Sequence, residues 1–201
     1  MYFSFQIRKM AEKNIQGDYY LTGVMETGCG IKLNPDNTFE FFYSYGALDR
    51  HGYGSWKKLA ENEIELNTNY DNLAPFTIIL EEKRTHSGTL ITIPNYNKML
   101  LDNTKIEIVS GDIKEESIAD ANNFFVFKSA GADKIIVTCL FYFDNFATII
   151  PTDTLNNYFE LAPNHNLPLV HFNRSKFKLE ENALVGKLHL LDDFKDYRFE
   201  M

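Results

Sequence analysis

Residues 31 to 45, "IKLNPDNTFEFFYSY", constrain the fold more than any other stretch of the chain. Ile31 and Leu33 alternate with a polar residue, "NPDN" interrupts, and Phe39, Phe41, Tyr43 and Tyr45 alternate again. A period of two places successive side chains on opposite faces of a strand, so the segment reads as a β-hairpin with one buried face. Pro35 presets φ for the first central turn position, and Asn34 and Asp36 suit the turn around it. Phe42 breaks the outward polar face, which predicts that part of that side is covered as well.

The same grammar recurs on both sides. "DYYLTGV" reads as a first strand, and "YGSWKKLAENEIELNT" as a second hairpin in which Trp56 leads, "AEN" turns, and Ile64 and Leu66 alternate. Up to about residue 74 the chain therefore predicts a five-stranded antiparallel meander, curled into a half-barrel or sandwich. "NYDNLAP", residues 69 to 75, reads as a linker, polar and ending in a Pro that favours extended backbone before it. After it, "FTIIL", "GTLITI", "TKIEIV", "NNFFVF", "KIIVTCLFYF" and "FATII" follow one another with turn signals between, the spacing of a β-sandwich. "SGDIKEESIADANN" reads as a polar loop with room for one helical turn. The last third, from "LPLVHF" to "DYRFEM", supplies three or four more strands. Residues 75–201 are grouped as a second, sandwich-like unit, with packing of the final strands back on the first unit left open. Residues 1 to 16 offer a loose helical face of Phe5, Ile7, Met10 and Ile15.

The expected fold class is thus all-β. Composition agrees: aromatic residues make up 14% of the 201, with 17 Phe and 11 Tyr, and such residues favour pleated surfaces. "SWKKLAENEIELNT" and "FKLEENALVGKLHLL" also echo each other as strand, Glu-Asn turn, strand, which reads as shared hairpin grammar rather than a repeat.

Charge and cysteine content narrow the function classes. A net charge of −8 with no basic patch argues against nucleic-acid binding, which needs cations to displace counterions. The two cysteines, Cys29 and Cys139, cannot frame a disulfide scaffold for a chain of this length. Cys139 lies in an apolar run, where a free thiol acts as a small buried hydrophobe. Free thiols and a reducing, cytoplasmic setting are expected, or an exported one if a leader has been removed. The N-terminus shows no apolar signal region. The longest apolar run, residues 135 to 143, is too short for a membrane span.

Chemistry-bearing motifs are sparse. Gly46, Gly52 and Gly54 bound the stretch "ALDRHGY", but no strand-to-helix phosphate loop surrounds them; a turn and a bulge beside Trp56 are the expected use. Asp49, Arg50 and His51 fall at the tip of that presumed loop. Arg would suit an anion there and His with Asp a proton transfer, whereas an Asp49 bond to its own turn is the simpler use. Tyr43, Tyr45, Tyr53 and Trp56 could wall a cavity, having apolar bodies and polar tips, or could equally form a core face. His171 and His189 each sit in an apparent strand pattern, "LVHF" and "KLHLL"; a two-His metal site across strands has no spacing motif behind it. "NPDNTFE" lacks the Gly and closing carboxylate of a calcium loop. No nucleophile elbow is present. Asp192, Asp193, Glu180 and Glu181 cluster in turns, where solvation is the default.

The stretch from Gly17 to Thr68 resembles a set of uncharacterised bacterial proteins. The likeness is carried by "GDY" at the start, Leu33, Asp36 and Phe39 in one hairpin, "YGALD" at residues 45 to 49, and the Gly54-Ser55-Trp56 step. In outline it is also similar to small lipocalin-like domains. Residues 88 to 137 resemble the transthyretin-like sandwich found beside carboxypeptidases, whose strand corner would here be "ADANNFFVF", with Asp120 matching and Asn123 in place of the usual Gly. These resemblances imply a fold and supply no catalytic set.

The reading that follows is a non-enzymatic binding module for a small apolar ligand or a protein partner. Its candidate ligand-binding residues are Tyr43, Tyr45, Asp49, Arg50, His51, Tyr53 and Trp56, with no catalytic residue, metal ligand or cofactor assigned. Two alternatives stand beside it. One is a hydrolase using scattered carboxylates and His51. The other is a structural protein that associates with copies of itself.

Overall fold

A computed structural model describes residues 15–68, 74–192 and 194–201. The N-terminal face of Phe5, Ile7 and Met10, most of the linker "NYDNLAP", and Asp193 lie outside the described residues. The fold is all-β. Five strands open the chain: β1 (Gly17–Leu21), β2 (Thr27–Leu33), β3 (Thr38–Tyr45), β4 (Leu48–Ala60) and β5 (Glu63–Thr68). The next group is β6 (Phe76–Glu82), β7 (Thr89–Thr92), a short helix α1 (Lys98–Asp102), β8 (Thr104–Ser110), β9 (Ile113–Ile118), β10 (Phe124–Phe127), β11 (Lys134–Cys139), β12 (Ala147–Ile149) and β13 (Tyr158–Pro163). Three strands close it: β14 (Ser175–Glu180), β15 (Ala183–Gly186) and β16 (Tyr197–Glu200).

The first five and last three strands form one closed, eight-stranded barrel in the order β1-β16-β15-β14-β5-β4-β3-β2. Every neighbouring pair is antiparallel. The five-stranded meander is therefore as expected, but the final strands do not belong with the sandwich. β14 pairs with β5, Ser175 opposite Leu66 and Phe177 opposite Ile64, while β16 pairs with β1. Closure satisfies the two strand edges that a five-stranded meander would leave open. The two echoing hairpins, β4–β5 and β14–β15, thus lie side by side, each with its Glu-Asn turn.

Everything from β6 to β13 is inserted between barrel strands β5 and β14. It forms two four-stranded sheets, β10-β7-β13-β6 and β12-β11-β8-β9. Their facing sides bury Phe76, Ile91, Ile106, Ile108, Phe125, Ile135, Val137 and Phe159 in a core separate from that of the barrel. The segment read as a polar loop contains a strand, β9. It is exposed along most of its length and rich in Lys and Glu, which is how an edge strand avoids pairing with foreign chains, and which hides the alternation. In the "ADANNFFVF" corner, Asp120 Oδ1 accepts hydrogen bonds from the Asn122 and Phe124 amides at 2.8 and 2.9 Å. Asn123 takes φ +66, a left-handed conformation that Asn tolerates where Gly is the usual choice.

The barrel interior is filled. Ile31, Leu33, Phe39, Phe41, Trp56, Ile64, Leu66, Phe177, Leu184 and Phe199 point inward. The chain returning from the insert adds Val170 and Phe172, and the Phe172 ring meets Phe39 and Phe41 edge to face at 5.3 and 5.0 Å. The insert's two ends are tied together at this neck: the Thr68 amide donates to the Phe172 carbonyl at 2.8 Å, and the Phe172 amide to Thr68 Oγ1 at 2.9 Å. Cys29 and Cys139 are both free and buried, one in the barrel and one at the end of β11. Among the described residues, no helix is long and apolar enough to cross a membrane.

Candidate functional site

The "ALDRH" stretch is not a loop. Gly46, at φ +59, and Ala47 turn the chain in two residues, and Leu48 already opens β4. Alternation along β4 then divides the expected site residues between two faces. Arg50, Gly52, Gly54 and Trp56 are buried, whereas Asp49, His51 and Tyr53 are exposed. Gly52 and Gly54 stand opposite Phe41 and Phe39 and leave room for backbone and rings. A Cβ at Gly52 would lie 3.1 Å from the Val170 carbonyl oxygen, and one at Gly54 only 2.2 Å from that of Asn67.

The seven residues consequently do not converge. Tyr43 and Trp56 belong to the barrel core, and Trp56 Nε1 donates to the Asn34 carbonyl at 3.0 Å, locking the "NPDN" turn to β4. Tyr45 ends β3 and is exposed. Asp49 accepts a 2.6 Å hydrogen bond from Ser44 Oγ across the hairpin. The His51 backbone, rather than its ring, makes long-range contacts: its amide donates to Pro168 and its carbonyl accepts from Val170 at 2.7 Å.

Arg50 is the centre of a polar node that joins barrel and insert. Its side chain is 1% exposed and holds Asp144 through two parallel bonds, Nη1 to Oδ1 at 2.6 Å and Nη2 to Oδ2 at 3.1 Å. The same guanidinium donates to the Leu169 carbonyl at 3.0 Å and to the Pro168 carbonyl at 3.4 Å, and lies over the Tyr142 ring. His189 Nε2 approaches Asp144 Oδ2 at 3.2 Å. Burial pushes the Asp144 carboxyl up, but the hydrogen bonds from His189 and Arg50, with their charges, outweigh it and hold the pKa down at about 2. The His171 imidazole is pushed below its ordinary value, first by burial and then by Arg50 and His189, against the pull of Asp144. Neither histidine lies in a strand: His171 is on the return segment and His189 in the connection after β15. Among the described residues, no group of three or more His, Cys, Asp and Glu side chains is placed to hold a metal ion. Arg50 was legible as a polar site residue; Asp144 was not, since it lies in an apolar stretch with no motif.

The strands β1 to β4 carry four exposed aromatics, Tyr20, Phe42, Tyr45 and Tyr53, while Phe143, Phe146 and Phe194 are exposed elsewhere. Tyr20, Gly30, Phe42 and His51 follow one another across four strands in register. Tyr20 and Phe42 are 53% and 45% exposed, and their rings are 6.3 Å apart over Gly30. A Cβ on Gly30 would come within 2.5 Å of Phe42 Cε1, so the glycine is what lets the ring lie down on the sheet. The neighbouring row, Asp18, Lys32, Glu40 and Tyr53, edges the slot with charge, Lys32 and Glu40 being 3.7 Å apart. Among the described residues, the outward Phe42 is half covered, by Tyr20 and the glycine floor. The groove between these rows measures about 170 Å³.

No protein family, curated protein or solved structure matches this chain.

Proposed function

We propose that this is a non-enzymatic binding module that recognises a protein partner through the outer aromatic face of β1 to β4. The observation that carries the reading is the Tyr20–Phe42 pair over Gly30. Two exposed rings beside a charged rim have the make-up of an interface centre, where aromatics concentrate and charges stay at the edge. Size argues in the same direction. Small-molecule sites typically enclose about 300–1,000 Å³, and the groove here, at about 170 Å³, suits one inserted side chain. An apolar ligand inside the barrel, as in lipocalin-like proteins, would compete with Phe172, Phe39 and Phe41 for the same space. The hydrolase reading finds less support, because Asp49 is engaged by Ser44 and Asp144 by Arg50.

A photo-crosslinking residue in place of Tyr53, at the edge of the slot and with the Tyr20–Phe42 pair intact, tests this in cells of the source organism, with the same probe at Lys58 on an exposed stretch of β4 as control. One dominant heterologous adduct from position 53, lost on Tyr20→Ala, is the expected result. Adducts shared by both positions would end the proposal. An adduct of twice the chain mass would favour self-association, and a retained small molecule in native mass spectrometry would favour the ligand reading.

A further inference from the structure

A second cleft lies on the opposite flank of the barrel, along β14 and β15, and its chemistry differs from that of the aromatic face. It encloses about 410 Å³, within the range of small-ligand sites. Arg174, Lys176, Lys178 and Lys187 line it together with His189, against two carboxylates, Glu63 and Asp196. Four fixed cations less two anions leave +2 before His189 is counted, on a chain whose total is −8.

The local pairing sharpens this. Lys176 is held by Glu63 at 3.5 Å. In the adjoining cleft, Lys57 and Glu65 neutralise each other at 2.8 Å. Arg174 and Lys178, by contrast, have no carboxylate within ion-pair distance among the described residues. Arg174 takes φ +52, a left-handed conformation unusual for a residue with a Cβ, at the point where the return segment enters β14. His189 is not a loose side chain either, since Asp144 holds its Nε2 from beneath. The arrangement resembles an anion seat: one fork-shaped guanidinium, several point-charge ammonium groups and one oriented imidazole around a void.

We propose that this cleft binds a small phosphate-bearing anion, with Arg174 and Lys178 as its principal contacts. A charge of +2 matches a phosphate or pyrophosphate group, and the opening to solvent suits a ligand whose remainder projects outward. This site stands independently of the partner face, sharing no residue with it.

The test is a titration of the full chain with inorganic pyrophosphate at low ionic strength, followed by calorimetry and by the side-chain NMR signals of His189 and Arg174. Saturable binding is expected, weakened about tenfold or more in Arg174→Gln/Lys178→Gln, the loss of two charge-assisted contacts. Both substituted side chains contact solvent, so an unchanged melting temperature is expected and separates lost binding from lost folding. Equal affinity in wild type and variant overturns the proposal, as does the absence of saturation. Sodium sulfate at matched ionic strength is the discriminating control: if it binds as tightly, the cleft is a general counter-ion site and the phosphate assignment fails.

Discussion

Arg50 and Asp144 meet through two hydrogen bonds of 2.6 and 3.1 Å, one residue from a barrel strand and the other from the insert. The guanidinium is almost wholly withdrawn from water, and a buried ion left without its partner is far more costly than the intact pair is stabilising. Asp144→Ala should therefore lower stability by about 3 kcal/mol or more. Arg50→Lys should lose much of this too, because one ammonium cannot reach both carboxylate oxygens and two backbone carbonyls. Chemical denaturation of the two variants checks it. A cost under about 1 kcal/mol, the value of an exposed pair, would mean that the node is solvated in solution.

The same node sets a pH dependence. The folded Asp144 carboxyl is held at about 2, below its ordinary value of 3.8, so its contribution is fully present above pH 4 and disappears as pH falls towards 2. A shift of that size corresponds to about 2 kcal/mol. His171 has a lowered pKa as well, so its contribution is complete above 6.5 and is lost as acid forces a proton onto a half-buried ring. Urea midpoints measured from pH 7 to pH 2 should decline in two stages. In Asp144→Asn the stage below pH 4 should vanish. If it persists unchanged, other carboxylates cause the acid loss.

What the sequence revealed was local. Alternation at Phe39, Phe41 and Tyr43, the "NPDN" turn and both Glu-Asn turns depend on neighbours within a few residues, and each proved to be where its pattern put it. Closure of the barrel depended on Phe177 finding Ile64 across the whole insert, and nothing in either strand specifies that partner. The loop placement of Asp49, Arg50 and His51 failed for a different reason. Gly52 suggested that the turn begun at Gly46 continued, whereas it lies inside a strand to admit Val170 and Phe172. The period-two run Arg50, Gly52, Gly54, Trp56 was the signal that could have placed Arg50 inside the barrel. Polar β9 was missed because an exposed edge strand has no apolar face to display.

Two glycines separate architecture from recognition. At Gly54, an added Cβ meets backbone: the Asn67 carbonyl oxygen at 2.2 Å and Thr68 Cα at 2.8 Å. Those atoms are fixed by the β4–β5 ladder, so Gly54→Ala should cost about 3 kcal/mol, the upper end of overpacking. At Gly30 the closest atom belongs to the half-exposed Phe42 ring, which can swing into solvent. Gly30→Ala should cost about 1 kcal/mol while abolishing the slot between Tyr20 and Phe42. Thermal denaturation of both, with crosslinking from position 53 in a Gly30→Ala background that keeps Phe42, separates the effects. Retained partner capture by that variant would show that the slot is not the recognition element.

The last expectation concerns whether the insert anchors the barrel or merely hangs from it. Phe172 is 1% exposed, and it comes from the return segment, not from any barrel strand. Its ring packs edge to face on Phe39 and Phe41 and also faces His189. Truncation would leave a cavity walled by aromatic rings on a rigid closed barrel that cannot collapse to fill it. Phe172→Ala should accordingly lose about 3–5 kcal/mol. If the insert were held mainly by its neck hydrogen bonds and the Arg50 node, the loss would be near the transfer value of the ring alone, about 2–3 kcal/mol. Xenon or benzene should partly restore stability in the first case, since a dry apolar void of this kind takes up such ligands. Failure of either to raise the melting temperature of Phe172→Ala would show that the barrel does close around the gap, and that the return segment is a cover more than a core element.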